Sequence, residues 1–228
     1  MREAAADIFN NIAQEYDLWY ENNVIFLNEL AAIRQAVSIN GLSLEIGVGS
    51  GRFASALSIA FGLDPALGPL KIAKSRSIFV VQAQAEAIPF RSNMFDNVFF
   101  ITSLCFVDDH LMSIIEGIRI LRSGGRLIVG FISNDSEWGA FYRQKKREGH
   151  KIYRYARFFS SEELISIAIN EGLLLEGSVS TLFQPPDAKE YIAEAPRAGI
   201  IKEGGFQVLV FKKRCVPSQK IGTCNHEA

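Results

Sequence analysis

An acidic residue and three glycines close an apolar run where LEIGVGSGRFA extends from Leu44 to Ala54. Glycine at Gly47, Gly49 and Gly51 lets the backbone turn sharply and lets a ligand lie against bare peptide, because no Cβ blocks the approach. Residues Arg52 to Leu57 can open a helix whose first amides face the same crevice. With Glu45 ending the strand, the combination points to a nucleotide-like cofactor. The other chemistry-bearing types are sparse. Cys224 and His226 are two metal-ligating side chains on a polar tail, too few for a site, so no metal is expected. Cys105 reads as a packed thiol rather than a nucleophile.

A loop of this kind needs a rigid platform, and helical and strand patterns alternate along the chain as in a parallel sheet flanked by helices. Residues 4–19 and 22–38 read as two helices, with apolar positions such as Ile8, Ile12, Ile25, Leu27 and Leu30. Seven strands are expected, at 43–47, 61–64, 78–84, 96–102, 126–132, 173–182 and 205–213. Asp108 and Asp109 can cap a helix running to Leu121, which Ser123, Gly124 and Gly125 would end. Ser160-Ser161-Glu162-Glu163 opens another that ends at Gly172.

The 228 residues suit one domain, expected over 1–214, with a polar tail over 215–228. A net charge of −1 gives no electrostatic case for nucleic acid or an acidic membrane. No apolar stretch approaches the roughly 20 residues of a spanning helix, and MREAAADIFN carries no signal-peptide core. Three widely spaced cysteines fit a reducing cytoplasm.

Four segments follow one another in a telling order. They are Glu45-Ile46-Gly47-Val48-Gly49-Ser50-Gly51, Gly62-Leu63-Asp64-Pro65, Ala83-Gln84-Ala85-Glu86-Ala87-Ile88-Pro89-Phe90, and Phe95-Asp96-Asn97-Val98 running on to Leu104. Together they resemble the class I S-adenosylmethionine-dependent methyltransferases, in the type 11 branch that contains the ubiquinone/menaquinone biosynthesis enzymes. The resemblance covers residues 43 to 133 well and the flanks more loosely. It implies an α/β, Rossmann-like, seven-stranded and mostly parallel sheet, with a helical lid over 1–40 and a substrate-side insertion over 134–159.

The resemblance also implies S-adenosyl-L-methionine as cofactor and S-adenosyl-L-homocysteine as product. Glu45 would sit near the methionine ammonium, with Gly47, Gly49 and Gly51 against methionine and ribose. Asp64, followed by Pro65, would accept hydrogen bonds from both ribose hydroxyls. Gln84 stands where the family has aspartate; its carbonyl can still accept from the adenine amino group, with the Ala85 amide on a ring nitrogen and Glu86 beside it. Thr102 and Ser103 would lie beside the reactive methyl. Tyr16-Asp17-Leu18-Trp19-Tyr20 resembles the family's closing segment, which brings Tyr16 and Trp19 to the cofactor. A nicotinamide-dependent oxidoreductase shares such a crevice, but its Gly-x-Gly-x-x-Gly fingerprint needs glycine where Arg52 stands. A non-catalytic relative that binds the cofactor or a partner protein is the other alternative.

The implied activity is methyl transfer to a small-molecule acceptor, which the fold alone does not name. His110 is the candidate base, against a solvated first-turn residue of a helix. Trp138, Phe141, Tyr142, Tyr153, Tyr155, Phe158 and Phe159 stand among many bases in the insertion and could hold an anionic or planar acceptor. Residues 1–30 carry six acidic side chains against Arg2, and residues 138–159 carry seven basic ones against Glu148, so the two covers are expected to attract across the mouth. A monomer or homodimer is expected.

Overall fold

The computed structural model describes residues 5–214; the 215–228 tail, with Cys215, Cys224 and His226, lies outside the described residues. Three helices open the chain: α1 (Ala5–Asn11), α2 (Ala13–Trp19) and α3 (Val24–Ala36). The body follows as β1 (Ser43–Ile46), α4 (Arg52–Ala56), β2 (Phe61–Asp64), α5 (Leu67–Ser75), β3 (Phe79–Gln82), β4 (Phe95–Ile101), α6 (His110–Ile120) and β5 (Leu121–Ile132). It closes with α7 (Glu137–Arg147), α8 (Ser161–Asn170), β6 (Leu173–Thr181), β7 (Arg197–Ala198) and β8 (Phe206–Lys213).

The strands form one sheet in the order β3-β2-β1-β4-β5-β8-β6-β7. β1 to β5 are parallel neighbours, and β8 runs antiparallel between β5 and β6. All four residues of β1 are buried, as a central parallel strand covered on both faces must be. One apolar layer, with Phe53, Ile33 and Trp138, packs under α3 and α4; the other, with Phe95, Phe100 and Leu164, packs under α6 and α8. Capping side chains set the helix starts. The Asn23 side chain accepts from the amides of Ile25 and Phe26, Asp109 from Met112, Ser136 from Gly139 and Ser160 from Glu163.

Three expectations need correction. The sheet has eight strands rather than seven, because the two exposed residues of β7 add a short edge that has no room for a periodic pattern. The single helix expected over 4–19 is broken at Ile12, where φ is −111° and ψ 13°. There α5 presses close, and the Gly68 amide donates to Asn10 Oδ1 at 2.7 Å. The Ser123-Gly124-Gly125 turn does not cap α6 but lies inside β5, which begins at Leu121 opposite Phe95 and shifts register before Arg126 pairs with Asn97.

Candidate functional site

Strand order reverses at β1, since β2 and β3 extend to one side and β4 and β5 to the other. In open α/β sheets the crevice beyond the carboxyl ends of such strands is where ligands bind. Here it is lined by the loop after β1, by Asp64 and Pro65 after β2, by Gln84 and Ala85 after β3, and by Thr102 and Ser103 after β4.

The glycine loop is pinned from below. The amides of Gly47 and Val48 donate to the Leu63 carbonyl at 2.7 and 3.0 Å, and the Gly49 amide donates to Asp64 Oδ2 at 2.9 Å. Asp64 Oδ1 accepts from the Ala66 amide at 2.8 Å. Gly47 has φ +74°, and a Cβ there would fall inside 3 Å of Ser103, whose hydroxyl donates to the Ile46 carbonyl at 2.6 Å. A Cβ on Gly49 meets no atom within 4 Å and would project into open space. Gly51 lies outside the crevice wall: φ +80° and the approach of Ile78 and Ala73 make it a packing glycine.

Two carboxyls define the electrostatics. Glu45 is 2% exposed, and burial pushes it well above the carboxylate range. Its Oε2 has no hydrogen-bond partner, although the residue lines the crevice. Burial also raises Asp64, against the pull of the Ala66 and Gly49 amides. Glu86 lies off the wall, and its Oε1 accepts from the amides of Asp108 and Asp109, both at 3.0 Å. It thereby ties the loop after β3 to the start of α6.

The N-terminal helices cover the crevice. Asp17 anchors them: its carboxylate takes Arg52 at 2.7 Å and Arg76 at 2.9 Å. Burial opposes its charge, but the two guanidinium groups outweigh that and hold it at about 2. Tyr16 and Tyr20 share a helix face, and their hydroxyls meet at 2.8 Å. Trp19 turns away from the crevice, is 45% exposed, and borders a second cavity instead.

That cavity, of about 520 Å³, is separated from the crevice by Tyr16, Tyr20, Thr102, Ser103 and Phe106, which line both. Thr102 carries φ +52°, uncommon for a β-branched residue, and its amide is held by the Gly130 carbonyl at 2.8 Å. The far wall comes from α7 and the residues after it, with Trp138, Tyr142 and Tyr153. Sequence reasoning missed a third cover, residues 182–205. Pro186 and Tyr191 line the cavity from it, the Gln184 carbonyl accepts from Trp138 Nε1 at 2.8 Å, and Asn28 bonds Ile192 and Glu194. It also missed Phe106, whereas Tyr20 of the expected closing segment does line the crevice.

His110 lies on neither wall; Arg157 bonds its ring, which packs on Phe159 at 5.2 Å, and burial with Arg157 lowers its pKa. Cys105 borders the cavity as a thiol pushed up to about 12 by burial. Of the charges expected to attract between the covers, Lys151 reaches Glu15 at 3.1 Å, whereas Asp17 is taken by the sheet body.

Residues 44–129 match the family described as "Methyltransferase domain". A solved structure from Thermotoga maritima, described as an S-adenosylmethionine-dependent methyltransferase and possible histamine N-methyltransferase, is 36% identical with TM-score 0.85, covering 92% of this chain and 100% of that one. An uncharacterized protein of Methanocaldococcus jannaschii is 35% identical over 91% of this chain and 99% of its own length. A demethylmenaquinone methyltransferase of Mycolicibacterium vanbaalenii is 25% identical over 85% of this chain and 78% of its own. The chain belongs to the class I S-adenosylmethionine-dependent methyltransferases, in the type 11 branch.

The cofactor of the methyltransferase is therefore S-adenosylmethionine, and the crevice fits it on its own chemistry. An orphaned carboxyl oxygen at Glu45 suits an ammonium group, and the open space above Gly49 admits a ligand against the backbone. Among the described residues no cluster of His, Cys, Asp or Glu could hold a metal, and no helix is long and apolar enough to cross a membrane.

Proposed function

We propose that the methyltransferase moves a methyl group from the crevice to a small molecule seated in the second cavity. The observation that carries this is the shared wall: five residues separate the two spaces, so a donor and an acceptor would face each other across Thr102 and Ser103. When bound, the cofactor supplies a methyl on a positively charged sulfur, and transfer is an in-line displacement that neutralises that charge. The chain's task is then alignment and exclusion of water.

Each residue's task follows from its place. Glu45 holds the ammonium end and ionises in doing so. Asp64, whose oxygens each keep a free acceptor position beside the amides they bind, takes the ribose hydroxyls. Gln84 and Ala85 meet the adenine. Tyr16 and Tyr20 close the crevice from above, with Asp17 holding their helix to Arg52 and Arg76. Glu86 acts at a remove, by fixing the loop that carries Gln84 and Ala85. The aromatic walls of the second cavity suit a small, partly apolar acceptor better than a polymer.

Calorimetry with S-adenosylhomocysteine, followed by a turnover assay with S-adenosylmethionine and a panel of small aromatic alcohols, phenols and amines, tests the reading. Tight binding and formation of S-adenosylhomocysteine with at least one acceptor are expected. Binding without turnover across the panel would favour a non-catalytic relative, and preferential binding of a nicotinamide dinucleotide would overturn the assignment.

A further inference from the structure

Glu29 on α3 is the buried acid of the second cavity. It is 5% exposed and lines the second cavity. Among the described residues no hydrogen bond or ion pair reaches its carboxyl, and burial alone pushes it up to about 8. Four phenols lie near enough to feel its charge: Tyr16, Tyr20, Tyr142 and Tyr153. Their hydroxyls are occupied with one another, Tyr16 with Tyr20 at 2.8 Å and Tyr142 with Tyr153. The acid is left facing the cavity.

A buried carboxyl without a partner is costly, and such groups are kept where a ligand completes them. The surroundings say which kind of ligand. Trp138 lies 6.1 Å from the ring of Tyr142 and 5.7 Å from that of Tyr191, so aromatic faces flank the space around one acid. Ring faces and a carboxylate both attract a cation. The cations on the cavity border are engaged elsewhere: Lys151 with Glu15, Arg157 with Glu163 at 2.5 Å, and Lys145 over the ring of Phe141 at 4.7 Å.

We propose that Glu29 selects a protonated amine as the methyl acceptor, its N–H groups donating to the Glu29 carboxylate and its positive charge lying against the surrounding tyrosine rings. The proposal rests on the second cavity being the acceptor site. Glu29 borders that cavity alone, whereas Tyr16 and Tyr20 stand between the two spaces, so the ammonium is an anchor and the reacting atom lies nearer Thr102. Glu29 is thus a binding residue and not a base.

The pH dependence follows. Below the Glu29 pKa an ammonium must displace a proton to pair with it, so affinity rises about tenfold per pH unit towards 8 and levels off above. The neighbours do not imitate this. Cys105 and Tyr153 are pushed up to about 12, and Tyr16, Tyr20 and Tyr142 are raised by burial as well. His150 at the border is lowered by burial and by Lys145 and Lys151, which moves its titration away from that of Glu29.

Calorimetry on the protein saturated with S-adenosylhomocysteine decides, using phenethylamine, phenethyl alcohol and 3-phenylpropionate at two pH values, one below and one above the Glu29 pKa. The ammonium is expected to bind at least tenfold more tightly than the alcohol at the higher pH, with a smaller gap at the lower. Glu29→Gln should abolish the preference while S-adenosylhomocysteine affinity stays unchanged, which also shows that the variant is folded. Parity among the probes, preference for the carboxylate, no binding of the ammonium, or a preference that survives Glu29→Gln overturns the proposal. If S-adenosylhomocysteine itself fails to bind, the reading of the crevice falls first and takes the proposal with it.

Discussion

The crevice and the second cavity share a wall yet are built by opposite means. The crevice is made of strand ends and the backbone of a few loops, each fixed by hydrogen bonds to its neighbour, as Gly49 is to Asp64 and Ser103 to Ile46. The second cavity is made of side chains from dispersed segments: α2, α3, α7 and the residues between β6 and β8. A backbone-built site constrains residue type at fixed spacing, because only glycine tolerates the turn and only an acceptor can hold the amide. A side-chain-built site asks only for apolar bulk from several directions. One fold can therefore keep its donor site while its acceptor site varies.

The contrast can be broken most forcefully at Trp138. Trp138→Ala removes a fully buried side chain and its bond to Gln184, and is expected to cost about 3–5 kcal/mol in urea unfolding. If the two sites are separable, S-adenosylhomocysteine affinity in the folded variant changes less than about threefold while methyl transfer is lost. An equal loss of both would show that the covers support the crevice as well.

Asp64→Ala tests the other side. Loss of a charged acceptor is worth about 1.5–3 kcal/mol per bond, so calorimetry should show S-adenosylhomocysteine binding at least tenfold more weakly. Unchanged affinity would remove Asp64 from the site.

The lid's attachment gives a smaller, pH-dependent effect. Asp17 is depressed from 3.8 to about 2, so its contribution is present above pH 4 and is lost as pH falls through 2. Comparing urea unfolding of the native chain with Asp17→Asn, the difference should shrink by roughly 2 kcal/mol between pH 5 and pH 2. A constant difference would mean the arginine contacts do not stabilise the folded chain.

The smallest effect is that of the Lys151–Glu15 contact. Lys151 and Glu15 are both exposed, and such a pair is worth about 0–1 kcal/mol. Hydrogen exchange in residues 5–19 should differ little between low salt and 1 M salt. Reversing Lys145, Lys146 and Arg147 to glutamate should leave it unchanged, since Lys146 bonds the Ala156 carbonyl and Arg147 bonds Gln144. A large salt effect would restore a broad electrostatic latch.

What could be read in advance follows the same division. The glycine loop, Asp64, Gln84 and the β1-to-β5 order were legible, because each rests on local spacing or on strand alternation. The break at Ile12 was not, since it arises where α5 meets the lid. Trp19 looked like a cofactor contact because it belongs to an aromatic run, but helix rotation puts Tyr16 and Tyr20 on the inner face. Glu29 counts, by sequence, as one of the six acids of residues 1–30 expected to attract the basic insertion. Its setting comes from tyrosines of distant segments, Tyr16 and Tyr20 on one side and Tyr142 and Tyr153 on the other, while Asn28 ties α3 to residues 182–205.

Tyr16 and Tyr20 serve two rooms at once. Their hydroxyls are bonded to each other and their helix is held by a single buried carboxylate, so they shift together. A shift of that pair would alter both chambers, so the two occupancies are expected to be thermodynamically linked. Linkage is reciprocal: whatever factor the first guest gains from the second, the second gains from the first. Substitutions in the tyrosine pair should therefore change how strongly the two ligands sense each other as well as how tightly each one binds.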